Sequence, residues 1–220
     1  MALEVAACGS CPRLVAWRES VAKAKRAAYA DQEYWGRPVP GFGDPAAWLV
    51  VVGLAPGAHG ANRTGRMFTG DRSGDWLYGA LHRAGLSNSP DSTRRDDGLA
   101  LDGVWITSAV KCAPPDNRPS PCERDTCRPF LERELDLLVE RRVLVCLGSF
   151  AYAQVLRVLK DRGAAVPTPR PRFEHGLEMD LGREGGLLAS YHPSQQNTFT
   201  GRLTLAMFDR IWNRALELRK

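Results

Sequence analysis

Lysine is scarce in this 220-residue chain: only Lys23, Lys25, Lys111, Lys160 and Lys220 stand among 30 basic residues. Long apolar runs are missing as well. No stretch reaches the roughly 18 apolar residues that a membrane-crossing helix needs, so no such span is expected. The opening residues 1–8 carry no basic segment ahead of an apolar one, and no secretory leader is expected. A cytoplasmic protein is therefore anticipated, and in that compartment structural disulfides are rare. The six cysteines then need another purpose. There is no internal repeat and no compositional break, so residues 1–220 read as one domain, large enough to bury a full core.

In bulk the chain is ordinary. Hydrophobic residues make up 44% and charged residues 25%, which places it among globular domains rather than disordered or fibrous ones. The net charge of +5 rests on arginine. The planar guanidinium suits phosphate recognition, although GC-rich coding produces the same bias. A basic domain hints at a polyanionic partner and says nothing about fold.

Four apolar runs read as buried strands: Trp48 to Val52, Gly103 to Val110, Val143 to Leu147 and Gly186 to Tyr191. Helical spacing is expected over Arg13 to Tyr29, with Leu14, Trp17, Val21 and Ala24 on one face. It recurs over Gly74 to Ala84 with Ser73 as N-cap, Cys122 to Glu140, Phe150 to Lys160 and Arg202 to Leu218. Tyr34 to Pro45, Ser87 to Gly98 and the proline-rich, basic Arg162 to Phe173 read as loops. Strands alternating with helices predict an α/β fold with a mostly parallel sheet covered on both faces.

The residues from Gly53 to Asp75 form a long glycine-studded loop between a strand and a helix. In open α/β sheets, ligands sit beyond the carboxyl ends of the strands. Loops of this length are usually functional when ordered. This one sets His59, Asn62, Phe68, Asp71 and several arginines among its glycines. His192 directly follows the last strand, the other strand end with chemical potential.

Cys8 and Cys11 form a CxxC at the start; Cys112 and Cys127 lie far downstream, with Cys122 between them. Two distant pairs that can converge look like a four-thiolate metal site. Zinc sites usually have two tight pairs, whereas the wide second pair favours an iron–sulfur cluster. Unrelated free thiols are the remaining reading. Cys146, inside an apolar strand, reads as a small buried hydrophobe.

Several motifs follow one another at the strand ends: Gly53-Leu54-Ala55-Pro56-Gly57, Gly65-Arg66-Met67-Phe68-Thr69-Gly70, Lys111-Cys112-Ala113-Pro114-Pro115-Asp116-Asn117-Arg118 and His192-Pro193-Ser194. With Cys8 and Cys11 upstream, this set resembles the iron–sulfur uracil-DNA glycosylases of bacteria and archaea, from Cys8 to the last helix. Within them it is similar to the B-type branch, or family five. A-type relatives have a glutamate where this chain has Leu54, and an asparagine where it has Ser108. The resemblance implies a three-layer α/β/α sandwich around a four-stranded parallel sheet. It implies a [4Fe–4S] cluster on Cys8, Cys11, Cys112 and Cys127, with Cys122 the rival for the last position.

It also implies a monomeric, monofunctional enzyme that hydrolyses the N-glycosidic bond of uracil in DNA and leaves an abasic site, working at the nucleoid. A lyase step would need an amine nucleophile, and no lysine lies in the long loop or beside His192. Such an enzyme must flip its target out of the duplex. Phe68 is the expected wall of the base pocket, completed by Gly53, Ala55 and Ser108. His192 is expected to donate to the carbonyl oxygen that gains charge. Asp75 is expected to orient water or offset positive charge; the bland alternative is an acid favoured in a helix's first turn by the helix dipole, and Asp71 is the nearby rival. His59, Asn62, Arg63, Arg66, Ser194, Gln195, Asn197 and Arg202 are the expected DNA contacts, and Gln195 to Arg202 the wedge left in the duplex. Ser108 in place of the amide implies a looser reading that admits hypoxanthine. Leu54 keeps open a non-catalytic alternative, an iron–sulfur DNA- or nucleotide-binding protein or redox sensor.

Overall fold

The computed structural model describes residues 1–219. Its strands are β1 (Phe42–Gly43), β2 (Leu49–Gly53), β3 (Val104–Ser108), β4 (Val143–Leu147), β5 (Glu178–Asp180) and β6 (Gly186–Ser190). Its helices are α1 (Ala2–Ala6), α2 (Pro12–Ala24), α3 (Ala61–Thr64), α4 (Arg72–Arg83), α5 (Pro121–Leu137), α6 (Ser149–Asp161), α7 (Gln195–Phe199) and α8 (Leu205–Glu217).

The four apolar runs form the parallel centre of one sheet, in the order β3-β2-β4-β6. The sheet itself has six strands and is mixed. β1 pairs antiparallel with β3 at one edge and β5 antiparallel with β6 at the other. These edge strands are two and three residues long, too short to show a period of two, so only the four-stranded parallel core was legible.

Alternate residues of each strand face opposite layers. Leu49, Val51, Ile106, Val143 and Val145 join Leu77, Tyr78 and Leu81 of α4 and Phe208, Ile211 and Trp212 of α8. Val50, Val52, Leu144, Cys146 and Leu187 join Leu131 and Leu135 of α5 and Val155, Leu156 and Leu159 of α6. Each such fully buried side chain contributes about 1.5–3 kcal/mol. Cys146 sits in the second layer, its thiol pKa pushed up by burial alone, as a small hydrophobe.

Helix boundaries differ from expectation where a side chain caps the backbone. α2 stops at Ala24 because Lys25 adopts φ 55°, and Ala27–Tyr29 forms a separate 3₁₀ turn. α4 is capped by Asp71, not Ser73. α5 opens on a capping box of Ser120 and Glu123. α8 starts at Leu205 under Thr204, and Gln195 to Phe199, within the expected wedge, winds into α7. Strand order reverses between β2 and β4, which marks the carboxyl ends of the sheet as the place for a ligand. The loops after β2, β3, β4 and β6 all emerge there.

Candidate active site

Pairing between β2 and β3 runs past the strands. Gly53 stands opposite Ser108, and Ala109 N and Val110 N donate to Gly53 O and Leu54 O at 3.0 Å each. The glycine-rich turn is thus held against the turn leading to Lys111 and Cys112. Glycine is required at position 53, because a Cβ there would fall 2.7 Å from the Phe68 ring. Phe68 itself adopts φ 52°, a left-handed conformation that costs of order 1–3 kcal/mol and persists only when its surroundings enforce it. Tyr78 enforces it by donating to Met67 O at 2.8 Å. The first turn of α4 closes on Phe68 O, where a Cβ on Gly74 would lie 1.9 Å away.

Held this way, the Phe68 ring faces His192, with centroids 5.8 Å apart and planes 29° apart. His192 leaves the end of β6, and Asn197 Nδ2 fixes its carbonyl at 2.8 Å. Burial pushes the imidazole pKa down to about 4. His192 is therefore neutral at pH 7 and keeps one N–H to donate.

The two acids are not equivalent. Asp75 is exposed on the first turn of α4. Asp71 caps that helix through Gly74 N, 3.1 Å from Oδ1. Its Oδ2 lies over the Gly57–Gly60 turn, 1.8 Å from where a Cβ on Gly60 would stand. Burial raises the Asp71 pKa against the backbone bonds from Gly74 and Ser73. Burial raises the pKa of both acids, so position separates them: Asp71 is the more enclosed and stands over the Gly57–Gly60 turn, where a carboxylate can serve a site. Asp71 therefore replaces Asp75 as the candidate acid. The signal was an aspartate three residues before Gly74, at the head of an apolar helical pattern.

Several expected DNA contacts are interior instead. Asn62 is 0% exposed and donates to Arg18 O and Ala58 O. Arg66 is 2% exposed and bonds both oxygens of Asp97, plus Ser92 and Thr69. Burial pushes the Asp97 pKa up, but the Arg66 bonds and the N–H groups of Arg94, Leu99 and Thr93 outweigh it and hold it far below the usual range. Arg63 is spent on His59 O, Gly70 O and Gln32. Arg63 satisfies carbonyls of the loop and Arg66 a carboxylate and hydroxyls around it, needs that sequence does not reveal. His59 is half-buried with Nδ1 3.0 Å from Tyr34 Oη.

Ser194 Oγ caps α7 by accepting from Asn197 N at 3.4 Å, and Gln195 is exposed. Arg202 is exposed and lies 4.5 Å over the Tyr191 ring. Ser108 is buried and donates to Val110 O at 2.8 Å. Ala55 packs against the small cluster formed by Leu14, Val110, Cys112 and Cys127.

Cys8, Cys11, Cys112 and Cys127 line one hollow, with Leu14, Arg18, Lys111 and Phe130. Cys122 is exposed and lies outside it. Arg18 Nη1 donates to Cys112 Sγ at 3.0 Å and Lys111 N to Cys127 Sγ at 3.2 Å. Burial pushes the Cys127 thiol up to about 12 and raises Cys11 and Cys112 as well. The donor set fits a cationic, thiophilic group, whose charge is what lets such thiols ionise together. Among the described residues, no three Cys, His, Asp or Glu side chains close tightly around one point as a single ion requires. Behind the hollow, Lys111 Nζ pairs with Glu134 at 2.5 Å and with Thr107, all three buried. That pair, missed in the sequence, anchors the turn after β3.

A family model described as the uracil DNA glycosylase superfamily matches residues 40–216. The chain belongs to this superfamily. It is 56% identical over 215 residues to a type-5 uracil-DNA glycosylase of Mycobacterium tuberculosis, covering 97% of this chain and 79% of that one. It is 55% identical to the type-5 uracil-DNA glycosylase of Thermus thermophilus, covering 92% and 89%. Against the type-4 uracil-DNA glycosylase of Pyrobaculum aerophilum, identity is 31% over 163 residues, or 74% of each chain. Within the superfamily the chain stands with the type-5 branch.

Proposed function

We propose that this protein excises uracil from DNA by hydrolysing the N-glycosidic bond, leaving an abasic site. The reading is carried by the meeting of Phe68 and His192 at the carboxyl ends of the sheet, in a chain so similar to type-5 uracil-DNA glycosylases. Flipping the nucleotide out costs a few kcal/mol. Stacking on Phe68 returns about 1–3 kcal/mol. As the bond from C1′ to the base breaks, the electron pair passes into the ring and charge builds on a carbonyl oxygen. Neutral His192 donates its N–H to that oxygen. Asp71 holds the water with its free oxygen, offsets positive charge on the sugar, and takes the proton as the oxygen of the water bonds C1′.

Ser108 donates its one hydroxyl proton to Val110 O, so it has none to offer the base edge. Hypoxanthine is accepted for that reason. Lys111, the one lysine among the motifs, is buried and paired, so it offers no amine for a lyase step, and excision is monofunctional. Cys8, Cys11, Cys112 and Cys127 hold a [4Fe–4S] cluster, which ties the N-terminal segment to the turn after β3. No described helix is long and apolar enough to cross a membrane, and the enzyme works as a monomer on DNA in the cytoplasm. Leu54 favours a non-catalytic iron–sulfur DNA-binding protein, but Asp71 restores the carboxylate that Leu54 removes.

The test is incubation with a duplex carrying one uracil, followed by alkali. Strand scission at the uracil is expected. Intact DNA at molar excess of protein refutes the reading, and a hypoxanthine duplex left intact refutes the broad base range alone.

A further inference from the structure

Along α5 and α6 and just after them the arginines are matched: Arg124 and Arg157 pair with Asp125, Arg128 with Glu132 and Asp161, and Arg162 with Asp136. Further along the same connection, and at Arg202 beyond His192, they are not. Arg170, Arg172 and Arg202 are exposed, and none has a carboxylate within 4.0 Å among the described residues.

Arg170 and Arg172 sit on the proline-rich connection after α6, and that connection is anchored. Tyr152 Oη donates to Pro171 O at 2.8 Å. The Phe173 ring lies 5.7 Å from that of Tyr152 and 6.0 Å from that of Tyr191. Tyr191 N donates to His175 Nδ1 at 3.2 Å, and the Tyr191 ring also carries Arg202. Tyr191 directly precedes His192. One aromatic block therefore joins the connection, Arg202 and the site.

Resting on the excision reading, we propose that residues 167–173 form a DNA clamp in which Arg170 and Arg172 grip phosphates flanking the flipped nucleotide, alongside Arg202. Unmatched guanidinium groups on an anchored segment suit a polyanion and place it without reading its sequence. A proline-rich segment loses little freedom when it binds.

The test is binding of a uracil-free duplex to the full chain across a salt series. Each lost phosphate contact lowers the slope of log affinity against log salt by about 0.9. Arg170→Ala/Arg172→Ala should lower it by about 1.8, or roughly 60-fold in affinity per tenfold change in salt. Arg170→Lys/Arg172→Lys should keep the slope, since it keeps both charges. The matched pair Arg124→Ala/Arg157→Ala should leave it unaltered. An unchanged slope in the first variant overturns the clamp, as does a slope lost equally in the matched pair. A protein that binds the duplex with the predicted slopes but leaves uracil in place keeps the clamp and sinks the excision reading.

Discussion

The thiol hollow and the glycine-rich loop adjoin, since Ala55 of the loop packs against the small apolar cluster that includes Cys112 and Cys127. They are built in opposite ways. The hollow draws its four thiols from three segments far apart in sequence. The loop is one continuous stretch. Yet the scattered hollow was the easier to read. Its chemistry depends on residue type, and a cysteine in this context has few other uses. The loop depends on direction. Asp71 turns inward and Asp75 outward; Phe68 faces His192, while Arg63 turns to the loop's own carbonyls and Arg66 to Asp97. Residue type is visible in a sequence, and direction is a product of packing.

Breaking each region separately sharpens that contrast. In the hollow the effect should be all or none. Cys127→Ser should give a colourless protein without bound iron, whereas Cys122→Ser should stay brown, with absorbance near 400 nm; equal loss in both would move the fourth ligand. In the loop the effects are graded. His192→Ala should slow single-turnover excision by about 10²–10³-fold, the cost of losing one donor to a developing anion. Gly53→Ala should displace the Phe68 ring and cost about 1–3 kcal/mol as overpacking, read as slower excision with the hollow's colour unchanged.

A further effect is in the pH dependence of stability. The His192 pKa is lowered to about 4 in the folded chain, against about 6.5 when unfolded. Between these values the unfolded chain takes up a proton that the folded chain refuses, so stability falls as pH drops through that window. His192→Gln should flatten this part of the profile in urea titrations. An unchanged profile would show that the imidazole is not desolvated.

The parallel core, its two helical layers and the strand ends that carry the site followed from hydrophobic periodicity alone. β1 and β5 did not, because two or three residues show no period. α4 was found by its apolar face, but its start was misplaced by two residues because both Asp71 and Ser73 offered themselves as caps. The Lys111–Glu134 pair was invisible because its partners lie on different elements. Its burial also explains why the one lysine among the motifs is unavailable as a nucleophile.

The central claim is that an enclosed acid in the loop, and not the exposed one a turn later, works with His192. Asp71→Asn and Asp75→Asn compared in single-turnover excision from a uracil duplex test it directly, because asparagine caps a helix about as well as aspartate and spares the fold. Asp71→Asn should slow excision by at least about 10²-fold, and Asp75→Asn should stay within about twofold of the parent, as surface substitutions usually do. The reverse pattern, or two variants equally active, would contradict the account.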